Sequence, residues 1–561
     1  MASELKWWQQ VVFYQIYPRS FADANGDGIG DFQGMVTKLD YLRDLGIGAI
    51  WLSPHYPSPF IDCGYDISDY TGVAPEYGTL DDFKHFLTEA HARDIRVILD
   101  LVLNHTSDQH PWFLESKSSR DNPKRDWYIW RDGRQDGPPN NWASIFGGSA
   151  WACDAATEQY YYHAFLKEQP DLNWRNPAVK TAMWDAVRFW LDLGVDGFRL
   201  DAVATLFEDP ELTDHTFPIA TEAILDPNAL PPDEYSRLMA YQVKRPGMHE
   251  LLQELRALID EYPGDRVLVG EDEDIRFHGS GDDELHLVFN FPLMNLPRLT
   301  PAGIRANQAV RLAALPADAW PCNTLGNHDV SRMWTRYGDR QYDVALARLH
   351  IALMLTLKGT PFLYYGEEIG MVDLKLTQLD DVRDTTALHH YDQMIQTMGR
   401  PEAEALAFTL SSTRDRCRTP MQWEPSDQAG FNASGCKPWL PVHANRWNGV
   451  SVAAQEGQSD SLLMFYRRLI HLRGATPALV RGSYRALDTD NAQCLLFVRQ
   501  DAATAQTCLV ALNFSEHRRV PALALEHERL HTLFSSAQRA GEVALQDVAL
   551  EPFEILIAEL R

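Results

Sequence analysis

The chain is poor in cysteine, in positive charge and in long apolar runs, and each shortage excludes something. Its seven cysteines (Cys63, Cys153, Cys322, Cys417, Cys436, Cys494 and Cys508) are dispersed and odd in number. They supply neither a disulfide framework nor a metal-ligand spacing. Lys and Arg total 51 against 78 Asp and Glu, a net charge of −27. That balance argues against a polyanionic partner, and no basic aromatic patch points to nucleic acid. The apolar runs VLVG (267–270) and IALML (351–355) stop too soon to span a bilayer. The opening MASELKWWQQ has no basic segment leading into an apolar export core. The expectation is a soluble cytoplasmic protein with no membrane partner. No HExxH occurs, and the histidines sit beside acids at strand ends rather than at paired ligand spacing, which argues against zinc.

What the chain has is a strand–helix rhythm and many aromatic rings. VVFYQIYP, AIWLSP and RVILDLVLN read as strands, separated by helical patterns in FQGMVTKLDYLRDLG and DDFKHFLTEAHARD. GVDGFRLDA, RVLVGE, HLVFNF, WPCNTLGNHD and TPFLYYGEE bring the strand count to eight, the number that closes a (β/α)8 TIM barrel. From Asn104 to Val179 the periodicity fails, and HPWF, RDWYIW and DGPPNNWASIFGG read as loops. A second irregular stretch covers roughly 373–450, and SLLMFYRRLIHLRG reads as a closing helix. Short strands such as CLLFVRQ, TCLVALNFS and EPFEILIAE follow. The expected α/β fold is therefore a barrel (1–104 and 179–480) with an inserted domain after strand three (105–178) and a C-terminal antiparallel β domain (481–561). Aromatic residues make up 11% of the chain, with 16 Trp. Most should pack in core and loops, leaving a few to stack on sugars.

Three carboxylates follow apolar runs where the mouth of such a barrel would lie: Asp201 in GFRLD, Glu271 in VLVGE and Asp329 in GNHD. Two acids can break a glycosidic bond, one as nucleophile and one as acid/base, and a third can stabilise the charge that develops on the sugar. Arg199 lies two residues before Asp201, on the same side of the strand, and is expected to favour the ionised carboxylate. An ion pair that merely braces a strand end is the alternative. Burial implied by VLVGE should raise the pKa of Glu271, as a general acid requires. His105 and His328, beside Asn104 and Asp329, can join Asp100 in holding sugar hydroxyls or bracing the carboxylates.

DLVLNHTS (100–107), GFRLDAV (197–203), VGED (269–272) and LGNHD (325–329), in this order, resemble the four signature regions of the α-amylase family of retaining glycoside hydrolases. The resemblance implies that Asp201 is the nucleophile, Glu271 the acid/base and Asp329 the transition-state stabiliser. By the same resemblance Arg199, His105 and His328 line the glucose subsite, with Asp100 in support. DCGYDISDY (62–70), QPDLNW (169–174), FLYYGEEIGM (362–371) and TRDRCRTPMQW (413–423) look like segments of the α-glucosidase and oligo-1,6-glucosidase branch. There Asp62 and Arg414 would cap the non-reducing end of the sugar while Tyr65 stacks on its ring, giving exo action. Ala202, where α-1,6-preferring members carry Val, favours α-1,4 or broader specificity.

DANGDGIGD (23–31) offers oxygen ligands at alternate positions: Asp23, Asn25, Asp27, the Ile29 carbonyl and Asp31. It is similar to the metal loop of the same branch and suits a structural Ca²⁺, or Mg²⁺; a metal-free turn is the alternative. No organic cofactor is implied. The resulting expectation is an exo-acting retaining α-glucosidase acting on short α-glucosides such as maltose or sucrose. Sugar or alcohol acceptors would compete with water in transglucosylation. The alternatives are a glucosyltransferase or isomerase of the sucrose isomerase or trehalose synthase type, and, from another class, a noncatalytic sugar-binding protein.

Overall fold

The computed structural model describes residues 5–135, 137–216, 230–433, 435–487 and 491–561. At its centre stand eight strands: β1 (Phe13–Ile16), β2 (Ala49–Leu52), β3 (Arg96–Val102), β4 (Gly197–Asp201), β5 (Val267–Gly270), β6 (Leu287–Val288), β7 (Cys322–Thr324) and β8 (Thr360–Tyr364). All paired neighbours are parallel: β1 to β6 pair in chain order, and β8 joins β1 to β7. Side chains tie the seam between β6 and β7. Cys322 Sγ donates to the Val288 carbonyl at 3.3 Å, and Asn290 Nδ2 donates to Asn323 Oδ1 at 2.9 Å. The expected eight-stranded barrel is present.

The two-residue period of a strand decides what each side chain meets. Ile50, Val97, Leu99, Phe198, Leu200 and Leu268 face outward and are buried in the main core. Phe13, Trp51, Ile98, Val267, Val269, Leu287, Cys322 and Phe362 belong to a second cluster that fills the barrel floor. Each such large side chain contributes about 1.5–3 kcal/mol when fully buried. Two residues further along the inward face the chain turns polar, with Gln15, Ser53, Asp100, Arg199 and Glu271. A dry floor beneath a polar mouth is thus written into the strands themselves. Gly197 belongs to this device: with φ +150, a Cβ there would sit 2.1 Å from the Val267 carbonyl oxygen. Glycine therefore lets β4 and β5 close up two residues before Arg199.

The insertion is more ordered than its sequence suggests. HPWF starts a helix, Pro111–Ser118, where Pro111 occupies the first turn and His110 accepts from the Trp112 amide at 3.1 Å. RDWYIW ends in the strand Trp130–Asp132, which pairs antiparallel with Gln159–Tyr162, itself paired with Trp151–Asp154. Trp130, Trp142 and Trp151 are buried, so packing is the work of these rings. The stretch 373–450, expected to be irregular, contains two helices, Thr385–Gln396 and Glu402–Ser412. FQGMVTKLDYLRDLG breaks into Phe32–Val36 and Leu39–Leu45, the second ended by Gly46 at φ 96.

The closing helix spans Leu462–Ala475, and six antiparallel strands between Ser483 and Leu560 form the final sheet. Two buried arginines tie these parts to the barrel. Arg473 donates to the carbonyls of Leu355 and Gly359, both at 2.8 Å, and Arg499 donates to that of Thr356 at 2.6 Å. Leu355 and Thr356 end the helix Asp343–Thr356, where carbonyls lack intrahelical partners. Among the described residues no helix is long and apolar enough to cross a membrane, and no disulfide joins the cysteines.

Candidate active site

Strand register brings the polar mouth together. Across β3 and β4, Asp100 stands opposite Arg199 and Val102 opposite Asp201; across β4 and β5, Leu200 stands opposite Gly270, one residue before Glu271. The Arg199 guanidinium is 1% exposed and touches three carboxylates. Nη1 donates to Asp100 Oδ1 at 2.6 Å and to Asp201 Oδ1 at 2.7 Å, while Nη2 lies 2.6 Å from Glu271 Oε1. Trp51 lies under the guanidinium at 5.0 Å, and its indole N–H donates to Asp100 Oδ2 at 3.0 Å. Glu271 Oε2 accepts from the amide of Ala202 at 2.8 Å. Ala202 holds φ +41, a left-handed conformation uncommon for a side-chain-bearing residue, and there its amide faces Glu271.

Arg199 pulls Asp201 toward its ionised form, as expected, but other influences oppose it. Burial pushes Asp201 upward and outweighs the opposing pull of Arg199, because Asp100 and Asp329 add negative charge nearby. The arginine alone does not secure the ionised form. Burial pushes Glu271 up to about 8, against Arg199 and reinforced by Asp201 and Asp329; this rise was expected. Asp329 goes the other way. Burial alone would raise it, but the guanidinium groups of Arg418, Arg414 and Arg199 hold it well below the ordinary carboxylate range.

His328 joins a directional chain. Gln15 Nε2 lies 2.8 Å from His328 Nδ1, so the amide donates and Nδ1 accepts. His328 Nε2 then carries the proton toward the Tyr65 hydroxyl at 2.6 Å, and Tyr65 donates to Asp100 Oδ2 at 3.1 Å. Tyr65 stacks on His328 with ring centroids 5.4 Å apart. Burial depresses both His328 and His105, the latter to about 4, leaving neutral imidazoles at neutral pH. His105 sits between the side-chain amides of Asn104, at 3.2 Å, and Gln169, at 2.9 Å. Gln169 also donates to Asp62 Oδ2 at 3.1 Å.

A second charge cluster flanks the site. Arg414 Nη2 donates to Asp62 Oδ1 and to Asp384 Oδ1, both at 2.8 Å, and its Nε donates to Asp384 Oδ2 at 3.0 Å. Arg418 Nη2 donates to Asp329 Oδ1 at 2.6 Å. Within lies a cavity of about 440 Å³. Asp62, Tyr65, His105, Asp201, Glu271, Asp329 and Arg414 line it, as do Ile145, Phe146, Phe165, Thr386, Ala387 and His390. Arg199, His328, Asp100 and Asn104 stand behind the lining.

Asp384, Arg418 and Gln169 escaped the sequence reading as individual residues. Arg418 and Gln169 lie inside quoted motifs, four residues after Arg414 and at the head of QPDLNW. Asp384 lies in the stretch read as irregular and carried no signal. The loop Asp23–Asp31 stands apart from these contacts. Asp23 accepts from the amides of Gly26 and Gly28 at 2.6 and 2.8 Å, Asn25 from Asp27 at 2.8 Å, and Asp27 from Ile29 at 2.8 Å. Asp31 is committed to the amides of Ala24, Asn25 and Gly34, capping helix Phe32–Val36. Among the described residues no three His, Cys, Asp or Glu side chains form a group that could hold a metal ion.

The Arg414 pair permits a direct test. Asp384 is buried, which alone would raise its pKa, yet Arg414 and Arg418 hold it well below the ordinary range. A depressed carboxylate contributes stability above its unfolded pKa and loses it as pH falls through the folded value. Asp384→Asn should therefore cost about 3 kcal/mol near pH 7, the low end for breaking a buried pair, because Asp62 still meets Arg414. Denaturation of both proteins should show the gap narrowing as pH falls below about 4. An equal gap at pH 7 and pH 3 would refute the charge origin.

Residues 15–482 match the alpha amylase catalytic domain. The chain is 38% identical over 578 residues to an oligo-1,6-glucosidase of Parageobacillus thermoglucosidasius, covering all of both chains. It is similar in structure to the trehalulose synthase MutB from Pseudomonas mesoacidophila MX-45, with TM-score 0.88, 38% identity and full coverage of both. A variant of MutB has been solved with its substrate sucrose. The alpha-glucosyl transfer enzyme XgtA matches with TM-score 0.84 and 38% identity, again across both whole chains. The protein is an enzyme, and it belongs to the alpha-amylase family.

Proposed function

We propose that the protein is a retaining α-glucosyl-transferring enzyme that takes glucose from a small α-glucoside such as sucrose or maltose and delivers it to a sugar hydroxyl, including the departing sugar itself. The observation that carries this reading is the cavity: an acid pair on one guanidinium, with the Arg414 ion pairs flanking it and the Phe146–Phe165 rings along a wall. That wall can retain a second sugar against water. The solved relatives named for trehalulose synthesis and glucosyl transfer move the weight from hydrolysis, the main expectation from sequence, to transfer. Hydrolysis is the second reading, supported by the oligo-1,6-glucosidase relative. Ala202 would then favour α-1,4 over α-1,6 bonds.

In this mechanism Asp201 attacks the anomeric carbon while Glu271 gives its proton to the departing oxygen. Asp329, held ionised by its arginines, stabilises the oxocarbenium-like transition state. Tyr65 and His105 hold the glucose ring, with His328, Arg199, Asp100 and Asn104 behind them keeping them in place. Asp62 and Arg414 block extension past the non-reducing end, which gives exo action. The acceptor hydroxyl then loses its proton to Glu271 and displaces Asp201, restoring the α configuration.

With 4-nitrophenyl α-glucoside, the pH dependence of kcat/KM should be bell-shaped. Activity requires ionised Asp201 and protonated Glu271. Because burial raises both, the acid limb should lie above the ordinary carboxylate range and the alkaline limb near the value of about 8 found for Glu271. Full activity at pH 5 would contradict the raised Asp201; an alkaline limb that survives Glu271→Gln would remove that residue from the acid role.

Products decide between the two readings. At high sucrose, and separately at high maltose, α-linked isomers or longer glucosides should exceed free glucose by NMR. Glucose as the dominant product under both conditions would restore the hydrolase reading.

The oxygen-only donors of Asp23, Asn25, Asp27, Asp31 and the Ile29 carbonyl suit a hard divalent cation, which would stiffen the loop without entering the chemistry. Calcium added to chelator-treated protein should raise the melting temperature by a few degrees, and Asp27→Ala should abolish the rise. An unchanged melting temperature would leave a metal-free turn.

A further inference from the structure

His390 lines the same cavity as Asp201 and Glu271, from the helix Thr385–Gln396. Its Nε2 lies 3.0 Å from the Phe146 carbonyl oxygen. A carbonyl can only accept, so Nε2 carries a proton, and in that tautomer Nδ1 is the acceptor. This bond joins the helical pair of 385–412 to the inserted domain. Phe146 packs against Phe165 with centroids 5.2 Å apart, and Phe165 packs against His105 of the glucose pocket at 5.3 Å. Arg414 lies over Phe146 at 5.7 Å. Thr386, one turn before His390 on the same helix face, accepts from Arg414 Nη2 through its hydroxyl oxygen at 3.3 Å.

We propose that His390 determines acceptor specificity: it receives a hydrogen bond from a hydroxyl neighbouring the reacting one, so that the site prefers a polyhydroxylated sugar to a simple alcohol. The inference rests on the glucosyl-transfer reading above and assigns its acceptor. The sugar lies against the Phe146–Phe165 wall, which offers apolar faces to its C–H surface, while the imidazole fixes its rotation. In the transfer step a bond forms between the acceptor oxygen and the anomeric carbon, the ester bond to Asp201 breaks, and the acceptor proton passes to Glu271. His390 takes no proton in this step. Its bond to Phe146 sets the ring orientation, so the residue whose carbonyl it holds also forms the wall.

The test uses the intact enzyme with 4-nitrophenyl α-glucoside as donor and two acceptors in separate reactions, fructose and ethanol. Released 4-nitrophenol reports the first half of the cycle, and chromatography measures the glucosyl products. His390→Ala should lower the fructose-to-ethanol transfer ratio about fivefold to tenfold, the effect of one hydrogen bond. His390→Asn, which keeps a side-chain acceptor, should recover part of it. His389→Ala, at the neighbouring position that pairs with Gln393, should keep the wild-type ratio. If His390 only props the wall, the alanine variant will depress transfer to both acceptors alike and the ratio will stay within twofold, which overturns the proposal. If the wild type gives only glucose with either acceptor, the transfer reading itself falls and this inference with it. Should the His390→Ala protein fold poorly, the ratio in the His390→Asn variant against wild type decides: a value below that of His389→Ala supports the role, and an equal value together with an unchanged fructose KM rejects it.

Discussion

Everything at the mouth of the barrel depends on one buried cation facing three acids. Arg199 cannot leave its position without stranding Asp100, Asp201 and Glu271, and those acids could not share so small a volume without it. One positive charge does not neutralise three negative ones in a poorly solvated place, so the protein meets the excess by holding protons more tightly. The upward push on Asp201 and Glu271 is therefore a consequence of the packing that brings them together. Trp51 beneath the guanidinium, and Gly197 two residues before it, show that the barrel floor is shaped to carry this charge.

A second cluster runs the opposite way. Arg414 and Arg418 face Asp62, Asp329 and Asp384, and with two cations present the acids Asp329 and Asp384 are held ionised in spite of burial. The cavity thus contains acids of one chemical type with proton affinities pushed apart by their neighbours. That separation lets similar side chains take different parts in one reaction. The clusters touch through His328, which faces Asp329 at 3.3 Å while relaying a hydrogen bond through Tyr65 to Asp100. Keeping that imidazole neutral preserves the direction of the relay.

The barrel was legible because a strand buried on both faces leaves a short apolar run, and its polar end residue stands out. Asp201, Glu271 and Asp329 were found for that reason. Asp384 was not, because its partner Arg414 lies 30 residues away and the adjoining helix buries only Thr386 and Ala387, too little for an apolar stripe. The order in the insertion was missed because its core is made of Trp and Tyr at irregular spacing, which mimics loop composition. Arg199 stands beside Asp201 and favours its ionised form, as the two-residue spacing implies, but burial and neighbouring acids oppose it. The opposing burial and the nearness of Asp100 are tertiary facts that a two-residue spacing does not contain.

In the proposed double displacement both outcomes share their first half, so the three acids would not choose between transfer and hydrolysis. The choice falls to whatever occupies the space beside the glucosyl ester once the first product is released. Bulk water needs no binding site, whereas a sugar must be held in one orientation to compete. That requirement assigns significance to a wall built from two separate insertions, an aromatic one from 105–178 and a helical one from 385–412, joined by the His390–Phe146 bond. These are the segments with the weakest periodic signal, and they meet at the part of the cavity that the regular geometry of the barrel strands does not reach. Specificity can therefore change by altering loops while the charge cluster on Arg199 stays intact.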